Sequence, residues 1–309
     1  MEELMKPRIL VLGSSNTDMI IKLDRIPRPG ETILGGAFVT AAGGKGANQA
    51  VGAARAGGQV TFIARVGQDM FGDQAVAGFV RDGINVDHVT RDKTNPSGVA
   101  LIFVANDGES SIAVAGGANA KLSPADVRKA KAAFAEASVL VMQLETPLET
   151  VQAAADLAAK AGVRVILNPA PAQQLPDKLL NRVSILTPNE TEAELLTGID
   201  VNDDASAAAA AAKLRARGVQ TVIITLGARG AYVATESGEQ FVPGFKVKAV
   251  DTTAAGDIFN GALAVAMAEG KPLDLAVRFA NAAAAISVTH LGAQPSAPTR
   301  PEIEKFLRK

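Results

Sequence analysis

Apolar residues follow two different rhythms along this chain. In the second half, short runs of consecutive apolar residues alternate with stretches in which they recur at helical spacing. Residues 138–144 (SVLVMQL), 163–168 (VRVILN), 183–187 (VSILT) and 221–226 (TVIITL) read as buried strands, and residues 150–162, Glu190–Thr197 and 205–217 as helices between them. Near-continuous β-branched runs separated by amphipathic helices predict a parallel sheet covered on both faces, with right-handed crossovers. The low-complexity stretch 205–212 reads as part of a helix with a small-residue face. Residues 245–250 read as a further strand. The Ala-rich segments 254–269 and 274–288 predict closely packed helices, and 301–307 a last short one after the punctuation of 295–301.

The first half is less regular. Residues 9–13 read as a strand, 19–23 alternate more weakly, and 33–40 are another strand candidate. Gly98–Ala105 and Ser110–Ala115 flank Asn106-Asp107-Gly108-Glu109, a hairpin signal. These strands do not fit the βα rhythm. They predict a small sheet, from about 14–42 and 95–117, beside the main domain. Its exposed face needs a cover, either a substrate cleft or a partner subunit. The 309 residues suit one large α/β domain with a smaller appendage, and no internal repeat is evident.

Composition narrows the classes of function. The 31 Lys and Arg nearly cancel the 32 Asp and Glu, leaving a net charge of -1, so no basic excess points to nucleic acid or an anionic membrane. Any phosphate must be held by local groups and metal ions. With no Trp and one Tyr, base-stacking platforms are not expected. The absence of cysteine removes disulfides, thiolate nucleophiles and Cys-type zinc sites, and fits a reducing compartment. The apolar stretch near the N-terminus is too short for a signal-peptide core, and no run approaches the roughly 18 apolar residues of a membrane span. A cytoplasmic protein is expected.

Five polar or glycine-rich segments lie near predicted strand ends or helix starts, where ligands of parallel α/β sheets bind. The first is Asp251-Thr252-Thr253-Ala254-Ala255-Gly256-Asp257, opening an Ala-rich helix. Small residues let the backbone approach a ligand, and the free N–H groups of the helix start favour an anion. Asp257 there is either a helix-dipole partner or a base that takes a proton from a hydroxyl while the N–H groups hold a phosphoryl group. The second, Ala42-Gly43-Gly44-Lys45-Gly46-Ala47-Asn48-Gln49, precedes an Ala-rich helix and matches neither a P-loop nor G-x-G-x-x-G. It is either a flexible turn or a place where Lys45 and Asn48 meet a polyhydroxylated ligand. Asn16 and Asp18, two apart at a strand-like spacing, either stabilise a turn or bind adjacent hydroxyls. Asn189-Glu190-Thr191-Glu192 is either a capping arrangement or a set of groups near a Mg²⁺–phosphate complex. Thr225-Leu226-Gly227-Ala228-Arg229-Gly230 is either a tight turn or a backbone contact for a nucleotide. His88 and His290 form no metal or triad pattern, and no G-x-S-x-G elbow supports a hydrolase.

Taken together, the motifs resemble the ribokinase family of carbohydrate kinases over nearly the whole chain. GSSNTD at 13–18, PGET at 29–32, GGKGANQA at 43–50, QLE at 143–145, NPAPA at 168–172, TPNETEA at 187–193, DTTAAGDIFNGA at 251–262 and GAQPS at 292–296 carry the likeness. The wording of the glycine loop is nearer the ribose-phosphorylating branch than the adenosine- or fructose-kinase branches. The resemblance implies one α/β domain with a central, mostly parallel sheet flanked by helices and a small β-sheet lid, often dimerised through the lids. It implies phosphorylation of D-ribose at O5 by ATP. A kinase of 2-deoxyribose, fructose or a nucleoside, or a non-catalytic sugar- or nucleotide-binding regulator, is the alternative.

By the same likeness, Asp257 is the base and the Ala254, Ala255, Gly256 and Asp257 backbone the anion hole. Asn16, Asp18, Gly44, Lys45, Asn48 and Glu145 hold the sugar. Asn189, Thr225, Gly227, Gly230, Gly256 and Asn281 contact ATP, and Glu192 sits near Mg²⁺, through water. Asp251, Thr253, Ser287, His290, Gly292 and Ser296 surround a monovalent cation, K⁺. Ile258 departs from the small residue usual after the base, and a helix facing the core is expected to accommodate it.

Overall fold

The computed structural model describes residues 7–107 and 109–308. The chain begins with β1 (Arg8–Leu12), β2 (Asn16–Leu23), β3 (Ala37–Gly43), α1 (Lys45–Arg55), β4 (Gln59–Gly67), α2 (Met70–Arg81) and β5 (Val89–Asp92). It continues through β6 (Gly98–Ala105), β7 (Ser110–Ala115), α3 (Pro124–Lys129), α4 (Lys131–Glu136), β8 (Val139–Met142), α5 (Leu148–Ala161), β9 (Arg164–Leu167) and α6 (Asp177–Leu180). Then come β10 (Ile185–Leu186), α7 (Glu190–Thr197), α8 (Asp204–Ala216), β11 (Thr221–Thr225), β12 (Gly230–Thr235), β13 (Gly238–Pro243), α9 (Ala255–Ala268), α10 (Leu273–Ser287) and α11 (Arg300–Leu307).

Nine strands form one sheet in the order β13-β12-β11-β10-β9-β8-β1-β4-β5, parallel from β11 to β5, with β12 and β13 added antiparallel at one edge. Side chains alternate across a strand, so a run that is apolar at every position must be covered on both faces. In β1, Ile9 and Val11 join the core beneath α1, α9 and α10, whereas Leu10 and Leu12 join the core beneath α5 and α8. Ile258 is buried in the first of these cores, and its Cδ1 lies only 3.1 Å from where a Cβ on Gly52 would stand. The larger residue is taken up by the absence of a side chain on the facing helix.

The smaller sheet has the order β3-β2-β6-β7, with β2 and β6 parallel and the outer pairs antiparallel. Its base is tied to the large sheet by side chains. Asp69 accepts from the Ser97 N–H and Oγ, both at 2.7 Å, and Asn119 Oδ1 accepts from the Ser15 N–H at 2.9 Å. Phe38, Val39, Leu101, Ile112 and Val114 of this sheet are exposed.

Several sequence expectations need correction. β2 starts at Asn16, not at residue 19, so Asn16 and Asp18 are strand residues paired with Gly43 and Ala41 rather than members of a turn. β3 starts at Ala37, four residues later than its pattern predicts. Gly35 and Gly36 before it have φ of 112° and 98°, outside any strand conformation. Residues 245–250 form no strand. Phe245 gains its cover from the Phe306 ring, 5.1 Å away, and the Arg278 guanidinium, so its alternation does not come from a sheet neighbour. β4, α2, β5, α3, α4, α6, β12 and β13 have no counterpart among the elements the sequence pattern predicts. Gly108 of the expected hairpin turn and residues 1–6 lie outside the described residues, although β6 and β7 do pair as a hairpin would.

Candidate active site

The start of α9 has an unusual backbone. Ala254 has φ 60° and ψ 12°, and among the described residues no other non-glycine has positive φ. For a residue with a Cβ this costs roughly 1–2 kcal/mol, and such strain gathers at functional sites. The turn leaves the first N–H groups of α9 without intrahelical carbonyls. That of Ala255 returns to the Thr252 carbonyl at 3.3 Å, while Gly256 and Asp257 have no acceptor within the helix. Asp257 follows immediately and is only 5% exposed. Its Oδ2 accepts from Asn48 Nδ2 at 3.0 Å and its Oδ1 from Gln49 Nε2 at 2.9 Å. Burial pushes its carboxyl up from the usual range, against the opposing pull of Lys45 and the two amides.

The start of α1 lies against the ends of β1 and β2. Gly44 has φ 90°, and a Cβ on it would sit 2.6 Å from the Asn16 nitrogen, so the glycine is needed both for its turn and for the close approach. Glu145, just beyond β8, accepts from the Lys45 N–H at 3.0 Å and from Ser14 Oγ at 2.5 Å. Burial works against the Lys45 ammonium, but Asp257, Glu145 and Glu192 outweigh it and hold its proton above the ordinary lysine range. The Asp18 carboxyl is raised to about 6, first by burial and then by the charges of Glu145 and Asp257. Asn16 Oδ1 accepts from Asn119 Nδ2 at 2.7 Å. Asn48 Oδ1 is buried with no protein partner, an acceptor in reserve. Asp18, Lys45, Asn48, Glu145 and Asp257, drawn from widely separated parts of the sequence, thus form one electrostatic neighbourhood.

A cavity of about 170 Å³ opens beside it, bounded by Lys45, Asn168, Asn189, Glu192, Thr225, the 254–257 turn and Asn260. Asn189 and Glu192 realise the capping arrangement. Glu192 N–H donates to Asn189 Oδ1 at 2.7 Å, and Asn189 N–H donates to Glu192 Oε2 at 2.9 Å. Burial raises the Glu192 carboxyl, with the Asn189 N–H and Lys45 opposing. Gly227 and Gly230 shape the turn between β11 and β12, with φ of 55° and 119°, outside the cavity wall. Asn281 also lies away from that wall, and its Nδ2 donates to the Val242 and Pro243 carbonyls at 3.2 and 3.3 Å.

Behind α9, the Asp251 carboxylate joins two segments. Oδ1 accepts from the Thr253 N–H at 2.9 Å and Oδ2 from the Gly292 N–H at 2.8 Å. Burial raises this carboxyl, but those hydrogen bonds outweigh it and the net shift is downward. Ser287 Oγ and Ser296 Oγ are spent on the carbonyls of Ala284 and Ala293, and His290 is exposed. Among the described residues no three His, Asp or Glu gather as a metal cluster.

Sequence reasoning did not single out Gln49, Gln143, Asn168, Thr187, Asn260 or Asn119. Thr187 Oγ1 donates to Asn260 Oδ1 at 2.7 Å, and Asn260 Nδ2 donates to the Gly256 carbonyl at 2.8 Å, so this polar chain reaches the turn itself. One signal was available: an amide side chain in an otherwise small and apolar helix, as at Gln49, asks for a buried partner.

Comparison with known proteins places these features in context. The model of the pfkB family of carbohydrate kinases matches residues 6–300. The ribokinase of Haemophilus influenzae is 49% identical over 303 residues, covering 98% of this chain and 99% of its own. The deoxyribokinase of Salmonella typhi is 39% identical, covering 97% and 98%. The structure of Arabidopsis thaliana ribokinase complexed with ribose and ATP superposes with a TM-score of 0.90 at 36% identity, covering 99% of this chain and all of that one.

Proposed function

The chain belongs to the pfkB family of carbohydrate kinases, and from that premise we propose that it transfers the γ-phosphoryl group of ATP to O5 of D-ribose. The observation that carries this reading is a buried carboxylate, Asp257, in the same helical turn as two N–H groups without intrahelical acceptors and beside Asp18, Lys45, Asn48 and Glu145. Asp257 takes the proton of the ribose 5-hydroxyl as O5 bonds to the γ-phosphorus. The bond from that phosphorus to the bridging oxygen breaks, and ADP leaves. The Ala254–Asp257 backbone stabilises charge on the transferring group. Asn16, Asp18, Gly44, Lys45, Asn48 and Glu145 hold the sugar. Asn189, Thr225, Gly227, Gly230, Gly256 and Asn281 receive ATP.

The donor chemistry fits the two ions this family implies. Mg²⁺ keeps waters, and Glu192, a half-buried carboxylate on the cavity wall that Asp257 also lines, suits contact through water. When bound, Mg²⁺ neutralises phosphate charge. The oxygen-rich segments stapled by Asp251 suit K⁺, with Thr253, Ser287, His290, Gly292 and Ser296 contributing, several through carbonyls. Asp251 meanwhile ties the α9 start to the 287–292 segment.

The smaller sheet acts as a lid that excludes water. Its exposed Phe38, Leu101, Ile112 and Val114 support a homodimer formed through the lids. One catalytic domain carries all of this, in a cytoplasmic enzyme. No helix among the described residues is long and apolar enough to cross a membrane.

A second reading, phosphorylation of 2-deoxyribose, draws support from the 39% identical deoxyribokinase. An ADP-release assay over a sugar panel, with and without K⁺, tests these points together. Ribose should be turned over fastest, and K⁺ should raise the rate. Preference for 2-deoxyribose would transfer the assignment to the second reading. No turnover with any sugar would leave a non-catalytic binding protein. A monomer in light scattering would remove the lid dimer.

A further inference from the structure

Gln49 lies on α1, one residue after Asn48, and is fully buried. Its Nε2 donates to Asp257 Oδ1 at 2.9 Å and to Asn168 Oδ1 at 3.2 Å, and its Oε1 accepts from Gln143 Nε2 at 2.6 Å. Asn168 is itself oriented, because its Nδ2 donates to the Thr187 carbonyl at 3.3 Å. The Gln49 amide therefore stands only one way round. Turned over, its oxygen would face two acceptor oxygens and its NH₂ the NH₂ of Gln143. Gln143 accepts a penalty for this role, since its own Oε1 is buried without a partner. The adjacent Asn48 grips the other oxygen of Asp257 at 3.0 Å.

A carboxylate alone turns freely about its last torsion. Held at both oxygens from consecutive residues of one helix, its plane is set before substrate arrives. Orientation of this kind is worth large factors in rate, because a 1 Å misplacement can cost on the order of a hundredfold. We infer that Gln49 is the positioning residue of the base Asp257, and that Gln143 locks the Gln49 amide in its donating orientation. The inference rests on reading Asp257 as the base. The charged groups facing Asp257 are Lys45 on α1, Glu145 beyond β8, Asp18 on β2 and Glu192 on α7, and all of them remain in the variants below.

The test is Gln49→Met, which keeps length and loses the donor. It should lower kcat about tenfold and leave the KM and Kd for ribose within about twofold. Losing a donor to a carboxylate favours the protonated form. The acid limb of kcat should therefore move up by about one pH unit, and the Asp257 carboxyl-carbon NMR titration in the unliganded protein should move with it. Asp257→Asn assigns that resonance. Gln143→Met should shift both in the same direction by less, and should add nothing to Gln49→Met, because it acts only through Gln49. If Gln49→Met fails to fold, Gln143→Met alone carries the test. Unmoved titration and acid limb in the folded variant, or full additivity of the pair, would overturn the inference. Wild-type turnover of ribose tests the underlying reading separately, since the titration needs no substrate.

Discussion

Along α1 and α9, the inward side chains are inaccessible, and the polar ones among them are joined in a continuous hydrogen-bond network. Along β7 of the smaller sheet, every residue is exposed, and Ile112 and Val114 have no cover. The two regions answer to different demands. A group that must meet a proton in a fixed geometry needs neighbours that cannot move, and a close-packed helix pair supplies them. In its proposed role as a lid, the smaller sheet cannot be packed on both faces by its own chain. β2 belongs to both regions, since Asn16 and Asp18 stand at the end of the smaller sheet that is rooted in the large one.

The largest effect is expected at the rigid pole. Asp257→Asn should cut turnover by about 10²–10⁴-fold with ribose affinity nearly intact, measured by ADP release and calorimetry. Near-normal turnover would end the distinction between a catalytic pole and a covering one. At the junction, a Cβ on Gly43 would fall 2.2 Å from Asp18 Oδ2. Gly43→Ala should displace that carboxylate and weaken ribose binding about tenfold or more, the loss expected for a charged hydrogen bond, while ATP binding holds. Loss of ATP binding with ribose binding intact would show that Asp18 is assigned to the wrong ligand.

Asp18 also gives a pH signature. Its carboxyl is raised from 3.8 to about 6 in the folded chain, so between roughly pH 4 and 6 the folded state binds the extra proton. The ionised side chain therefore costs stability above pH 6, and this cost disappears toward pH 4. Ribose affinity should fall as pH drops through about 6. Asp18→Asn should raise Tm at pH 8 by about 2 °C and leave it unchanged at pH 4, while weakening ribose binding at neutral pH. The smallest effect on stability belongs to the covering sheet. Ile112→Lys should shift unfolding by no more than about 0.5 kcal/mol, yet abolish the proposed lid-to-lid association in light scattering. A large loss of monomer stability would show that this face is part of the core after all.

β1 and the strands of the second half were legible in the sequence because β1, β8, β9 and β11 are largely apolar, a pattern that a sheet covered on both faces accommodates. The helix starts at Lys45 and Ala255 were legible for a similar reason, since glycines and small residues mark where the backbone turns tightly. β4 was hidden by Arg65, whose charge is neutralised by Asp92 at 2.7 Å and Asp126 at 3.1 Å, partners distant in sequence. Residues 245–250 misled because alternation records which side is covered, not what covers it.

The identities of Asp257, Lys45, Asn48 and Glu145, and their places near strand ends or helix starts, were decided by the sequence, because turn chemistry and hydrophobic period are local. Which amide faces which oxygen, and that Gln143 and Asn168 converge on the Gln49 amide that holds the Asp257 carboxylate, was decided only by the tertiary structure. Those choices depend on burial and on partners about 90 to 210 residues away, and no local pattern encodes the direction of a buried hydrogen bond.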